Sequence, residues 1–304
     1  MPETTHPKHF AASKKMDTMK NRQRLLGGLA VLGSALLFYL ATAIIHWSHT
    51  FVTIGTSMFT FSRFVLGFAV VSLSMVLSGK SPRCNHLGFI LIRMLTNTIA
   101  VFCFYKAVEV GSVAEANILN MTYPLFVALL SWFLLKRQRD IFSLAIVALA
   151  TIGIWLILSP DVSTLHLNDF WGLLSGFFAG FAILSLNLSR QYDEAQTILW
   201  YMFGLGTLLM LPMVYGQLHL PSPLELLFLF ACSMAGVGGQ YLLTYGFRFV
   251  TAVEGAVVSS SRILIAALLG PLLVSDPPLG IAGWLGALLI FSVDIALALR
   301  APKE

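Results

Sequence analysis

The chain has 304 residues, 57% of them hydrophobic and only 11% charged, with a net charge of +5. Soluble domains carry about 25% charged residues, so a single water-facing globule is excluded: too little polar side chain is present to cover so much apolar surface. Lipid is the solvent this composition fits.

The chain opens on a basic tail, residues 1–24, holding Lys8, Lys14, Lys15, Lys20, Arg22 and Arg24. The apolar run behind it is too long for a signal-peptide core and has no clear cleavage site, so it reads as a first spanning helix. A helix needs roughly 20 mostly apolar residues to cross a hydrocarbon core about 30 Å thick. Ten segments qualify: 25–45, 52–77, 87–108, 112–135, 141–158, 169–189, 197–215, 224–246, 253–275 and 280–299. Their connections are short and carry turn residues, as in Ser78-Gly79-Lys80-Ser81-Pro82 and Asp276-Pro277-Pro278.

Polar groups inside these spans mark the candidate site. An ionisable side chain at the bilayer centre costs about 2.5–3.5 kcal/mol on insertion scales, so it takes a partner or faces a cavity. Arg63 lies midway along the second span, with Thr56, Thr60 and Gly67 on its face. It is either a structural tie or a substrate contact. Arg93 stands in the third span with Asn97 one turn on; it faces a cavity or snorkels to the headgroups. Lys106, near the other end, reads as snorkelling. In the fourth span Asn117, Asn120 and Pro124 share a face, beside Tyr123. Proline there frees a backbone carbonyl that a cavity can use; hydrogen bonding between helices is the plainer alternative.

Gly172, Gly176 and Gly180 give the sixth span a ridge of small residues, read as packing. The eighth carries Gln240 and Thr244 on one face, with Tyr241 and Tyr245 nearby. These tyrosines, with Tyr39, Tyr105 and Tyr123, either stack on a solute or pack against lipid. Ser259 and Arg262 place a second midplane cation in the ninth span. Glu115 and Glu254 stand near the starts of the fourth and ninth spans, where the helix dipole favours an acid; the other reading makes them coupling sites for a proton or cation.

Two patterns organise the spans. With both termini in the cytoplasm, the tail, the even-numbered connections and the C-terminus hold fifteen of the nineteen basic residues; the odd-numbered connections hold none. The other four are Arg63, Arg93, Lys106 and Arg262, inside helices. Shifting the chain by 139 residues lays Glu115 on Glu254, Asn120 on Ser259, Tyr123 on Arg262 and Ala128-Leu129-Leu130 on Ala267-Leu268-Leu269. A five-helix unit repeated in this way enters the membrane the other way up. Inverted repeats are a transporter architecture, with the substrate site near the midplane between the halves.

Several chemistries find no support. Cys84, Cys103 and Cys232 are scattered, without a CxxC motif or a histidine pair. Ser74–Ser81 is one glycine short of a P-loop and follows no strand. HExxH and GxSxG are absent, so neither an enzyme nor a metal site is expected. His46 and His49 fall in an outer turn. The basic tail is a topology signal facing anionic lipid, and nucleic acid is not an expected partner.

Phe104-Tyr105-Lys106-Ala107, Ser112-Val113-Ala114-Glu115-Ala116 and Tyr123 through Leu130 resemble the EamA-domain pattern of the drug/metabolite transporter superfamily. Arg63-Phe64 resembles its Arg-Phe pair, and Gly283–Ile290 its closing helix. Lys136-Arg137 stands where the family usually has an acid, and Leu37-Phe38-Tyr39-Leu40 where it often has a Trp–Asn signature. The resemblance implies a ten-helix carrier with a central cavity and alternating access. Arg93 and Ala114-Glu115-Ala116 look most like the branch that includes S-adenosylmethionine carriers.

The expectation is therefore an all-α membrane protein of ten transmembrane helices, built as two inverted five-helix repeats (25–158 and 169–299) behind a cytoplasmic tail. It would be a secondary active transporter in a cell inner membrane, needing no cofactor. Its substrate would be a small polar metabolite, amino-acid-like, carboxylate-bearing or zwitterionic, with S-adenosylmethionine as one type. Substrate-site candidates are Arg63, Arg93, Asn97, Asn117, Asn120, Tyr123, Gln240, Tyr241, Thr244, Ser259 and Arg262. Partners are the solute, membrane lipid, a proton or counter-substrate, and a second copy of the chain. Two rivals stay open: an exporter of cationic or aromatic drug-like compounds, and a lipid-handling or scaffold protein.

Overall fold

The computed structural model describes residues 7–134, 149, 152–153, 156, 170–190, 192–217, 220–250 and 252–300. The predicted span 141–158 and Lys136-Arg137 lie almost wholly outside them. Among the described residues the fold is all-helical: α1 Pro7–Phe51, α2 Thr56–Leu77, α3 Leu87–Val110, α4 Val113–Asn120, α5 Tyr123–Leu134, α6 Phe170–Ser189, α7 Ala195–Val214, α8 Pro223–Gly246, α9 Ala252–Leu269 and α10 Ile281–Arg300. Among the described residues five helices are long and apolar enough to cross a membrane: Leu25–Phe51 within α1, then α2, α3, α7 and α8. Phe170–Leu186, Val258–Leu273 and Ile281–Val293 are apolar but shorter.

Helix ends follow local chemistry. Ser222 and Glu225 form a reciprocal capping box at the start of α8, with Pro223 in the first turn. The predicted fourth span is not one helix. It breaks at Met121-Thr122 into α4 and α5, because Pro124 has no N–H to give the Asn120 carbonyl. Three-residue bonds replace the lost step, with Thr122 N donating to Leu119 O at 3.1 Å and Leu125 N to Thr122 O at 3.0 Å. Pro212 stands three residues before the end of the predicted seventh span; the chain leaves α7 through a 3-10 turn, Tyr215–Gln217. Behind α9 a π turn, Gly270–Val274, holds Pro271 and ends on Ser275 in the left-handed region at φ 55°.

Helices of the first half pack against helices of the second. α3 lies along α6 and α1 along α8, the two most extensive interfaces; α2 packs on both α7 and α8, and α7 on both α2 and α3. Lipid gives apolar helices no hydrophobic reason to associate, so close steric fit must hold them. Glycines supply it. A Cβ at Gly206 would lie 2.8 Å from Phe64, and one at Gly204 2.8 Å from Phe68, so the rings of α2 seat directly on the backbone of α7. The predicted ridge on α6 works the same way: a Cβ at Gly172 would meet Leu119, at Gly176 Thr122 and at Gly180 Phe126.

Two buried aspartates fasten the poles of the bundle. Asp193, between α6 and α7, accepts from the backbone N–H of Asn85 at 2.7 Å and of His86 at 3.4 Å, ahead of α3. Asp276, behind the π turn, accepts from Ala114 N at 2.9 Å and Ser112 Oγ at 3.2 Å, at the start of α4. Trp47 of α1 donates to Leu273 O at 2.8 Å at the same pole. Lys106 pairs there with Glu109 at 3.2 Å, which also accepts from Thr56 Oγ1; it has a partner within the protein. Near Asp193 the exposed Lys80 and Glu194 pair at 2.6 Å. The hydrogen bond from Lys80, then its charge, holds the Glu194 carboxyl below the usual glutamate value.

Candidate functional site

Between these poles α1, α2, α3, α4, α5, α6, α8 and α9 enclose a cavity. Its atom-free space is about 590 Å³ with the mouth included, and the centre of a water molecule can occupy about 80 Å³ of it. One water needs about 10–15 Å³ by that measure, so the cavity holds several waters or one compact solute.

Eight of the eleven sequence candidates line it: Arg63, Arg93, Asn97, Asn120, Tyr123, Gln240, Ser259 and Arg262. On α3, Arg93, Asn97, Ala100, Val101 and Phe104 form one stripe at steps of three and four, as the helical period requires. Asn120, the last residue of α4 before the break, lines the cavity and meets Arg262.

The three arginines are 2–3% exposed. Arg63 Nη1 donates to Tyr105 Oη at 3.1 Å, and its guanidinium stands over the rings of Phe38 at 5.3 Å and Tyr105 at 5.8 Å. A Cβ at Gly236 would lie 2.9 Å from Arg63 Cδ, and one at Gly239 2.9 Å from the Phe38 ring, so these glycines of α8 make room for both side chains. Arg262 donates to Asn120 Oδ1 and stands over Phe104 at 5.0 Å and Phe38 at 5.7 Å. Asn120 in turn donates from Nδ2 to Ser175 Oγ at 2.9 Å. Among the described residues Arg93 has no such anchor, and its buried Nε has no hydrogen-bond partner.

Arg63 Nε, Arg262 Nε and Asn97 Nδ2 are buried donors in the same condition. No carboxylate is among the described residues lining the cavity. Buried polar atoms in native proteins are nearly always paired; here a set of unpaired donors, three of them cationic, surrounds one space. The site is built to meet acceptors and negative charge.

Three candidates stand elsewhere. Asn117 donates from Nδ2 to Thr42 Oγ1 at 3.0 Å and to Val113 O at 2.8 Å, tying α4 to α1. Thr244 lies one turn beyond Gln240, whose carbonyl it bonds at 2.8 Å. Tyr241 packs against the apolar core. Of the coupling candidates, Glu115 is half-buried in the first turn of α4, outside the cavity lining. Glu254 stands in the first turn of α9, its side chain outside the described part.

The residues that were not anticipated are the apolar walls: Phe38, Phe104, Ala179, Ala182 and Ile183 among them. Phe104 was within reach of the sequence, as the next step of the Arg93–Asn97 stripe. The alanines of α6 carry no signal that separates them from lipid-facing ones.

A family model described as the EamA-like transporter family matches residues 23–159 and 166–295. An uncharacterized transporter of Helicobacter pylori (strain ATCC 700392 / 26695) is 29% identical over 230 residues, covering 73% of this chain and 77% of its own. The pseudopaline exporter CntI of Pseudomonas aeruginosa (strain UCBPP-PA14) is 27% identical over 252 residues, 81% of this chain and 87% of its own. Solute carrier family 35 member G1 of Homo sapiens is 24% identical over 231 residues, 70% of this chain and 62% of its own. A solved crystal structure superposes with a TM-score of 0.63 at 16% identity, over 91% of this chain and 99% of that one, a likeness of fold alone.

Proposed function

Since this chain belongs to the EamA-like transporter family, whose model covers both its halves, we propose that it is a secondary carrier moving a small carboxylate-bearing metabolite across the cell's inner membrane by alternating access. The observation that carries this reading is the cavity of three buried arginines and unpaired donors, with no facing acid among the described residues. An inserted cation is expensive unless function uses it, and three are gathered here on different helices.

The reading includes ten spans in two inverted halves, with both termini in the cytoplasm. The charge asymmetry of the connections supports the orientation. The packing supports the repeat: exchanging the halves turns the α1–α8 interface into the α3–α6 interface, and the α2–α8 contact into the α3–α7 contact. The halves would rock about the arginine cavity. The Pseudomonas relative's name makes it an exporter, and export is the direction to test first here.

An S-adenosylmethionine-like solute would find a match for its carboxylate and none for its cationic centres. A cationic drug would meet three like charges. The purified protein in proteoliposomes should show saturable flux of small carboxylates, and Arg262→Ala should abolish it. Unchanged flux of every anion and zwitterion in that variant would overturn the assignment of the site; absence of saturable flux in the native protein would overturn the carrier.

A further inference from the structure

The count and placement of charge in the cavity narrow the substrate further. Resting on the carrier reading above, we infer that the solute is a compact organic dianion, a short dicarboxylate, gripped at two points: Arg93 takes one anionic group, and Arg63 with Arg262 takes the other.

The two grips differ in construction. Arg63 and Arg262 come from different halves of the chain, yet both guanidiniums rest on the Phe38 ring, at 5.3 and 5.7 Å. Each is held by one neutral protein acceptor, Tyr105 Oη or Asn120 Oδ1, which steers it without neutralising it. A guanidinium has five N–H donors in a fixed fork, so both keep donors for a ligand oxygen. Arg93 stands three helical turns before Phe104 on α3, and Arg262 leans on Phe104. Arg93 therefore works from further along the cavity. It has Asn97 beside it, and both present buried donors without partners.

One anionic group on the solute would satisfy one grip and leave the other cation facing apolar walls. A zwitterion is worse: its ammonium needs an acceptor carboxylate, and none is among the described lining residues. Two anionic groups a few bonds apart satisfy both grips. The modest space, about 80 Å³ for water centres, keeps the solute short.

The test uses the purified full-length protein, by melting temperature in detergent and by counterflow in proteoliposomes. Probes are succinate, acetate and alanine at equal concentration. Succinate should act at least about tenfold more potently than acetate or alanine.

Arg93→Gln should bring succinate and acetate to parity, and Arg93→Lys should retain part of the preference. The melting temperature without solute checks that each variant folds. Alanine or acetate matching succinate, or an undiminished dianion preference in a folded Arg93→Gln, would overturn the inference and leave the carrier standing. If no probe or other solute moved saturably, the carrier itself would fall, and the dianion with it.

Discussion

Asp193 and Asp276 at the two poles are nearly as withdrawn from water as Arg63, Arg93 and Arg262 in the middle, 6% exposed against 2–3%. They are supplied very differently. Each aspartate collects two hydrogen bonds from the start of another segment, backbone amides among the donors. The arginines collect one neutral acceptor, one neutral acceptor, and none among the described residues. Charge-assisted hydrogen bonds contribute about 1.5–3 kcal/mol each, and an unpaired buried ion costs instead of contributing. Equal burial thus separates into two kinds: acids that hold the bundle together, and bases with no carboxylate beside them among the described lining residues, which the proposed solute would complete.

The sharpest way to break that contrast is to remove an acid. Asp276→Ala leaves the amide of Ala114 and the hydroxyl of Ser112 without their acceptor and should cost about 3 kcal/mol, read as a large fall in melting temperature in detergent. A variant as stable as the native protein would mean that the buried acids are not structural.

Next is the removal of a base. Arg93→Gln should stabilise the solute-free protein by about 2 kcal/mol, since replacing an uncompensated buried ion relieves its desolvation. A loss of stability in the absence of solute would place Arg93 with the aspartates. Asn120→Asp converts one kind into the other by giving Arg262 a carboxylate. The solute-free melting temperature should rise by the equivalent of about 1 kcal/mol, and dianion potency in the melting assay should fall about tenfold. Unchanged potency would mean that Arg262 takes no part in binding.

The smallest effect belongs to the exposed pair. Lys80→Ala should leave the melting temperature at neutral pH within error. Because Lys80 holds the folded Glu194 carboxyl below its ordinary value, its small contribution is complete above that ordinary value and fades as pH falls through the folded one. Melting curves across that acid range should lose this slope in the variant.

How far the sequence reaches is itself uneven. Arg63, Arg93 and Arg262 stood out because a cation in an apolar run is conspicuous wherever it points. Asn97 and Ser259 followed from sharing a helical face with Arg93 and Arg262, and Asn120 from sharing one with Asn117 and Pro124. Asn117 shares a face with Asn120, yet it bonds Thr42 on α1, while Asn120 meets Ser175 and Arg262; spacing along one helix does not say which neighbour each side chain meets. Pro124 announced a disturbed helix, but not that two separate helices would result. Ala179 and Ala182 became cavity wall only because α6 packs against α3 and α5, a long-range event that composition does not encode. The basic residues after α5 lie outside the described residues, so their part in the charge asymmetry is a reading of sequence alone.

The carboxylate of Asp276 has a mechanical consequence. It clasps the first turn of α4 to the chain behind the π turn, so those two pieces travel together for as long as the clasp holds. A displacement there would carry α4 with it as far as the break at Met121-Thr122. Asn120 sits immediately before that break with its oxygen on Arg262, so a shift at the rim of the bundle would re-aim the guanidinium in its middle.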